Sequence, residues 1–146
     1  KAVIMFSKAT EYALRATIFI AKNSSLSKKL GIEEISVAIN SPQYFTAKIL
    51  QILTKKELIK STPGPNGGFF LLNESKQLPI RTIIDAMGES TTLDKCVLGL
   101  KECSEKSPCP MHAQYKNIKR ELQELFDSKT IEMLAAEVKS VKSLRY

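Results

Sequence analysis

Apolar residues recur at helical spacing almost from the start of the chain. Tyr12, Ala16, Phe19 and Ile20 share one side of a helix that Ser7 can cap and that Asn23-Ser24-Ser25 ends. A polar loop through Ser27-Lys28-Lys29 follows. Gly31 then precedes a short helix, Ile32 to Ile39, with Ile32, Ile35 and Ile39 on one face. Asn40-Ser41-Pro42 reads as a turn that also starts the next helix, with Ser41 as N-cap and Pro42 at the first helical position. That helix is expected to run to about Lys56. Its apolar stripe is Phe45, Ile49, Ile52 and Leu53, which leaves Gln43, Tyr44, Ala47, Lys48, Gln51 and Lys55 facing outward. Beyond it the pattern changes from helix to strand. Leu58-Ile59-Lys60-Ser61, a Pro63-to-Gly68 turn and Phe69-Phe70-Leu71-Leu72 predict a β-hairpin.

Two short helices joined by a tight turn, the second with an amide-rich and basic outer face, describe a helix-turn-helix. A hairpin attached to it is a wing, whose glycines let the tip approach a groove or a phosphate with backbone N–H donors. The expected fold is mainly α with a small β-hairpin wing. Further on, Leu78-Pro79 predicts a helix with proline at its first position, closed by Gly88, with Ile80, Ile83, Ile84 and Met87 buried. Pro108 and Pro110 then disfavour continuous helix around Cys109. After His112 a long amphipathic stretch carries Tyr115, Ile118, Leu122 and Leu125 in an a/d-like seam with Phe126 adjoining. Asp127-Ser128 interrupts it, and Ile131, Leu134, Ala135 and Val138 begin a second piece; the tail from Lys139 is expected to fray. Such a charged helix with one apolar stripe folds back on its own domain or pairs with a second copy. Winged helices read paired half-sites, which favours a homodimer. The organisation expected is a winged-helix domain over residues 5–90, a cysteine sensor loop over 91–112 and a dimerisation helix region over 113–140.

Charge sharpens the picture. The net charge is +7, and its excess lies in the first half, where ten Lys/Arg face four Asp/Glu up to Leu72; twelve face eleven afterwards. That distribution is the footprint of a polyanion-binding module, set against a merely soluble basic surface. With the winged helix it points to double-stranded DNA, the alternative being a winged-helix scaffold that binds a protein or small effector. No apolar run is long enough for a bilayer, and Val3 to Phe6 is too short for a signal-peptide core. The expectation is a cytoplasmic protein without membrane association, with Met5 as a natural start preceded by Lys1 to Ile4.

One short stretch concentrates metal-capable ligands: Cys96, Cys103 and Cys109 are all the cysteines, and His112 is the sole histidine. An odd thiol count in a reducing compartment argues against a structural disulfide set. Lys95, Lys101 and Lys106 favour thiolate. Three thiolates with His112 as fourth donor suit an iron–sulfur cluster. Zinc is the rival, although structural zinc sites prefer closer cysteine pairs. Unliganded thiols, one of them oxidisable, form a third possibility. A Cys109 nucleophile with His112 as base lacks any partner motif, so the chain is not expected to be an enzyme.

These residues resemble the Rrf-two family of bacterial winged-helix regulators, and within it the cluster-sensing IscR and NsrR group. The likeness rests on four stretches: Met5 to Arg15, Pro42 to Leu50, Ser61 to Leu71 with Gly67-Gly68-Phe69, and the spacing of Cys96, Cys103, Cys109 and His112. The resemblance implies a homodimer on promoter DNA, acting as a repressor. It implies an iron–sulfur cluster on the three cysteines, with His112, or Glu11 from the partner subunit, as fourth ligand. DNA contacts would come from Gln43, Tyr44, Lys48 and Gln51 in the major groove and from Gly64, Asn66 and Gly67 at the wing tip. Three departures from the family pattern stand out. The Cys96–Cys103 gap is one residue longer than in several relatives, Pro63 stands where an arginine often precedes the first wing glycine, and Ala47 replaces a polar or acidic residue.

Overall fold

The computed structural model describes residues 5–101 and 105–139. Helix α1 spans Lys8–Asn23, and Ser7 caps it as expected, its hydroxyl accepting the Thr10 N–H. Tyr12, Ala16, Phe19 and Ile20 are all buried. Helix α2, Ile32–Ile39, has the boundaries its pattern predicts; its C-cap Asn40 adopts a left-handed conformation (φ 55°) that turns the chain into α3, Gln43–Lys55. Here the N-terminal reading needs correction. Pro42, not Ser41, is the N-cap, and no side chain caps the helix. Ser41 is instead buried, its hydroxyl accepting from Thr46 Oγ1 at 2.9 Å. The apolar stripe is also rotated. Thr46, Ile49, Leu50 and Leu53 are buried, while Ile52 is 40% exposed because it lies about a quarter turn or more off the centre of that line.

After α3, Glu57 takes a positive φ of 61° and returns the chain toward the body, so that Leu58 and Ile59 are buried before strand β1 begins. Strands β1, Lys60–Thr62, and β2, Gly68–Phe70, pair antiparallel with Lys60 opposite Phe70 and Thr62 opposite Gly68. A third element joins this hairpin. Leu30 and Phe69 exchange both backbone hydrogen bonds, at 2.9 and 2.8 Å. The close approach explains Gly68, where a Cβ would meet the Leu30 carbonyl oxygen at 2.6 Å.

Two short elements escape the sequence pattern: α4, Asn73–Lys76, and a single 3₁₀ turn at Ser90–Leu93. Helix α5 is shorter than expected, Arg81–Ala86, because Pro79 is spent on a backbone bridge to Thr130. Ile80, Ile83 and Ile84 are buried as predicted. Helix α6 covers His112–Ser128 and α7 covers Ile131–Glu137, with Thr130 capping α7 through the Met133 N–H. Helix α7 folds back onto α1, placing Ile131 and Ala135 in the main core with Ile20, Leu30, Ile35, Leu50 and Leu53. Helix α6 does not. Among its described residues only His112 is buried, whereas Ile118 is 54% and Leu125 is 49% exposed. Near its end Phe126 is tied to the body, edge-on to Phe6 at 5.6 Å. No described helix is long and apolar enough to cross a membrane. The expected leading residues 1–4 and the frayed tail beyond Lys139 lie outside the described residues.

Candidate nucleic-acid interface and cysteine loop

The first candidate surface is built by α3. Burial of Thr46, Ile49, Leu50 and Leu53 forces the opposite face outward, and Tyr44, Lys48, Gln51 and Lys55 follow one another along it at spacings of four, three and four. All four are exposed, and Tyr44 reaches 71%. Gln43, exposed at the first helical position, stands beside this row. Lys55, which the sequence pattern also places on the outer face, extends this row beyond the residues expected to touch DNA. Beneath this face, Tyr12 of α1 packs edge-on against Phe45 with ring centroids 5.5 Å apart, and the Arg15 guanidinium stacks over Tyr12 at 4.8 Å.

The wing tip is a tight turn closed by the Gly67 N–H donating to the Gly64 carbonyl at 2.9 Å. Gly64 takes φ +99°, and a Cβ at Gly67 would fall 2.1 Å from the Thr62 carbonyl oxygen, so this backbone is closed to other residues. Gly64, Pro65 and Asn66 are exposed. The tip therefore offers backbone and a short amide rather than a long cation, consistent with Pro63 at the position where an arginine was noted as usual.

The second candidate site is the cysteine loop. Cys96 is buried and Cys109 half-buried, and their sulfurs lie 3.7 Å apart. Backbone N–H groups of Leu100 and Leu98, in the turn that Gly99 makes at φ +74°, hold the Cys96 thiol below its usual range; the Cys109 thiol and the Gly99 N–H add to this, against the opposing effect of burial. Two thiolates on one tetrahedral centre with metal–sulfur bonds of about 2.3 Å stand about 3.8 Å apart, so this pair fits a shared metal. The fit holds for a cluster iron and for zinc alike. Cys103 lies outside the described residues. His112 opens α6, its N–H donating to the Cys109 carbonyl at 3.0 Å. Its imidazole faces Glu105, with Nε2 3.5 Å from Oε1, and Lys116 Nζ reaches the same oxygen at 2.5 Å. Lys116, followed by His112, draws the Glu105 carboxyl below its ordinary value. These groups line a cavity of about 430 Å³ with Cys109. The structure thus brings Cys96 and Cys109 together and sets His112 on Glu105 instead. Among the described residues no three His, Cys, Asp or Glu side chains form a metal-holding group. Glu11 sits half-buried in the first turn of α1, and its expected role is toward a partner's loop.

The family model described as Rrf2, Iron-dependent Transcriptional regulator, matches residues 6–137. A protein of Aquifex aeolicus named for HTH-type transcriptional regulation is 33% identical over 133 residues, covering 90% of this chain and 91% of its own length. The HTH-type transcriptional regulator IscR of Sodalis glossinidius is 26% identical over 125 residues, 86% of this chain and 74% of that one. In structure, CymR, the global cysteine regulator of B. subtilis, superposes with a TM-score of 0.77 at 21% identity, covering 94% of this chain and all of that one, which supports the winged-helix fold.

Proposed function

The chain belongs to the Rrf2 family of transcriptional regulators, and from that premise we propose that it is a homodimeric repressor whose promoter affinity is set by an iron–sulfur cluster in the Cys96–His112 loop. The observation that carries the cluster reading is the 3.7 Å approach of Cys96 and Cys109. Cys103 is the third ligand. His112, or Glu11 of a second copy, is the fourth. When bound, the cluster supplies iron–sulfur bonds sensitive to iron supply and oxidation. The chain supplies the rest. Tyr44, Lys48 and Gln51, with Gln43 at the helix start and Lys55 at its end, enter the major groove of each half-site. Gly64, Asn66 and Gly67 lie along the adjacent backbone. The open seam of Tyr115, Ile118, Leu122 and Leu125 is covered by the same seam of a second copy, and that pairing sets the spacing of the two recognition helices.

A thiol switch is the second reading, favoured by the same sulfur–sulfur approach. One experiment separates them. Protein purified without oxygen absorbs in the visible and contains iron and sulfide if the cluster reading holds. A colourless product with stoichiometric zinc decides for zinc, and a metal-free product whose loop cysteines pair on oxidation decides for the thiol switch.

A further inference from the structure

Glu89 connects two parts of the molecule that the pattern of apolar residues leaves unrelated. It follows Gly88, whose φ of +78° turns the chain out of α5. From there its carboxylate reaches 82 residues back to the start of α1. The Ser7 N–H donates to both of its oxygens, at 3.0 and 3.1 Å; Thr10 Oγ1 donates to Oε1 at 2.5 Å, and the Ser7 hydroxyl donates to the same oxygen. Thr10 is fully buried, so water is no ready substitute for that acceptor. Burial pushes the Glu89 carboxyl up, but the Ser7 and Thr10 hydroxyls, the Ser7 N–H and the Lys95 charge together hold it below its ordinary value, as an anion at the positive end of α1.

The same segment leads directly to the first cysteine. The 3₁₀ turn drops Leu93 against Phe6 and Ile84. Asp94 accepts Gln123 Nε2 at 2.7 Å and faces Arg81 at 3.5 Å, and Lys119 donates to its carbonyl at 3.2 Å. Cys96 is two residues further on. At its other side, α1 carries Tyr12 against Phe45 of the recognition helix, next to exposed Tyr44.

We propose that Glu89 is a positioning residue that couples the cysteine loop to the DNA-reading helix. It fastens the loop's entry to the first turn of α1, so that a change in the loop moves α1 and, through Tyr12 and Phe45, moves α3. This rests on the reading of the loop as a sensor, but it does not depend on what the loop holds. Coupling between two sites is reciprocal, so DNA must alter the loop as the loop alters DNA binding.

The test uses the full chain, metal-free and reduced. The rate at which iodoacetamide alkylates Cys96 is read by mass spectrometry with and without a duplex from the protein's own promoter. In the unsubstituted protein the duplex changes that rate about five-fold or more, the lower end of typical couplings. In Glu89→Gln the change collapses toward one-fold while the duplex still binds, and exposed Glu124→Gln leaves it intact. Thr10→Val, which keeps the shape and removes one donor, gives a partial loss and serves if Glu89→Gln folds poorly. A full duplex effect in both Glu89→Gln and Thr10→Val overturns the proposal. A duplex that binds the unsubstituted protein without changing Cys96 overturns the coupling and leaves the regulator intact; failure to retard any promoter fragment, both metal-free and as isolated without oxygen, removes both.

Discussion

The winged-helix half and the α6 half of this chain bury their apolar residues in opposite ways. In the first, Ile20, Leu30, Ile35, Leu50 and Leu53 are wholly inaccessible, drawn from four separate segments into one core. In the second, a 17-residue helix with a regular apolar seam leaves Ile118 and Leu125 about half exposed. Both halves carry comparable patterns, so periodicity alone does not say whether a stripe is satisfied within the chain. The difference is a matter of partners. The helices α1, α2, α3 and α7 close on one another, whereas α6 leaves Ile118 and Leu125 uncovered before Phe126 meets Phe6 and the chain returns to the body through α7. A core complete by itself leaves no apolar stripe for a partner; the stripe of α6, beside the cysteine loop, leaves one uncovered.

The sharpest break of that contrast is Leu50→Ala. It should lower unfolding free energy by about 2–5 kcal/mol in denaturant titration, since Leu50 is fully buried. Gly68→Ala should follow at about 1–3 kcal/mol, because a strained backbone at φ +141° and the Leu30 carbonyl both oppose a Cβ. The double change Ile118→Ala and Leu125→Ala should alter the stability of the isolated chain by only about 0.5 kcal/mol per site. It should still shift sedimentation toward monomer; an unchanged dimer would place the interface elsewhere. Lys48→Ala should leave folding alone and reduce the salt slope of promoter binding by about 0.9, one phosphate contact; an unchanged slope removes Lys48 from the contact set. The smallest effect is Glu89→Gln on stability. The folded carboxyl titrates below its unfolded value, so its contribution is present above about pH 4.3, the ordinary glutamate value, and is lost as pH falls through the folded value. The difference from the unsubstituted protein should therefore be measurable at pH 7 and vanish in acid.

Much of the reading head was legible beforehand. Ser7 capping α1, the exact limits of α2 and the hairpin around Pro63–Gly68 all follow from local propensities. The outer row of α3 was legible in the sequence, Tyr44, Lys48, Gln51 and Lys55 all lying outward as the helical spacing predicts. The cysteine site was legible as composition, not as geometry. The spacing placed Cys96, Cys103, Cys109 and His112 on one candidate centre; the structure sets the Cys96 and Cys109 sulfurs 3.7 Å apart and His112 against Glu105, and Cys103 lies outside the described residues. Ion pairs between a loop and a helix face leave no period in the sequence.

The sequence by itself determined what local forces govern: where helices start and stop, where glycine and proline break them, which half carries the positive charge, and which residues bring chemistry. Only the tertiary structure decided that Ser41 packs inward instead of capping, that Leu50 rather than Ile52 faces the core, and that Pro79 pairs with Thr130. It alone joined Leu30 to Phe69 and Glu89 to Ser7 and Thr10. Each of these depends on which distant segment arrives as neighbour. A side chain's nearest alternatives differ by about 1 kcal/mol or less in local propensity, and a buried contact or a desolvated hydrogen bond easily exceeds that.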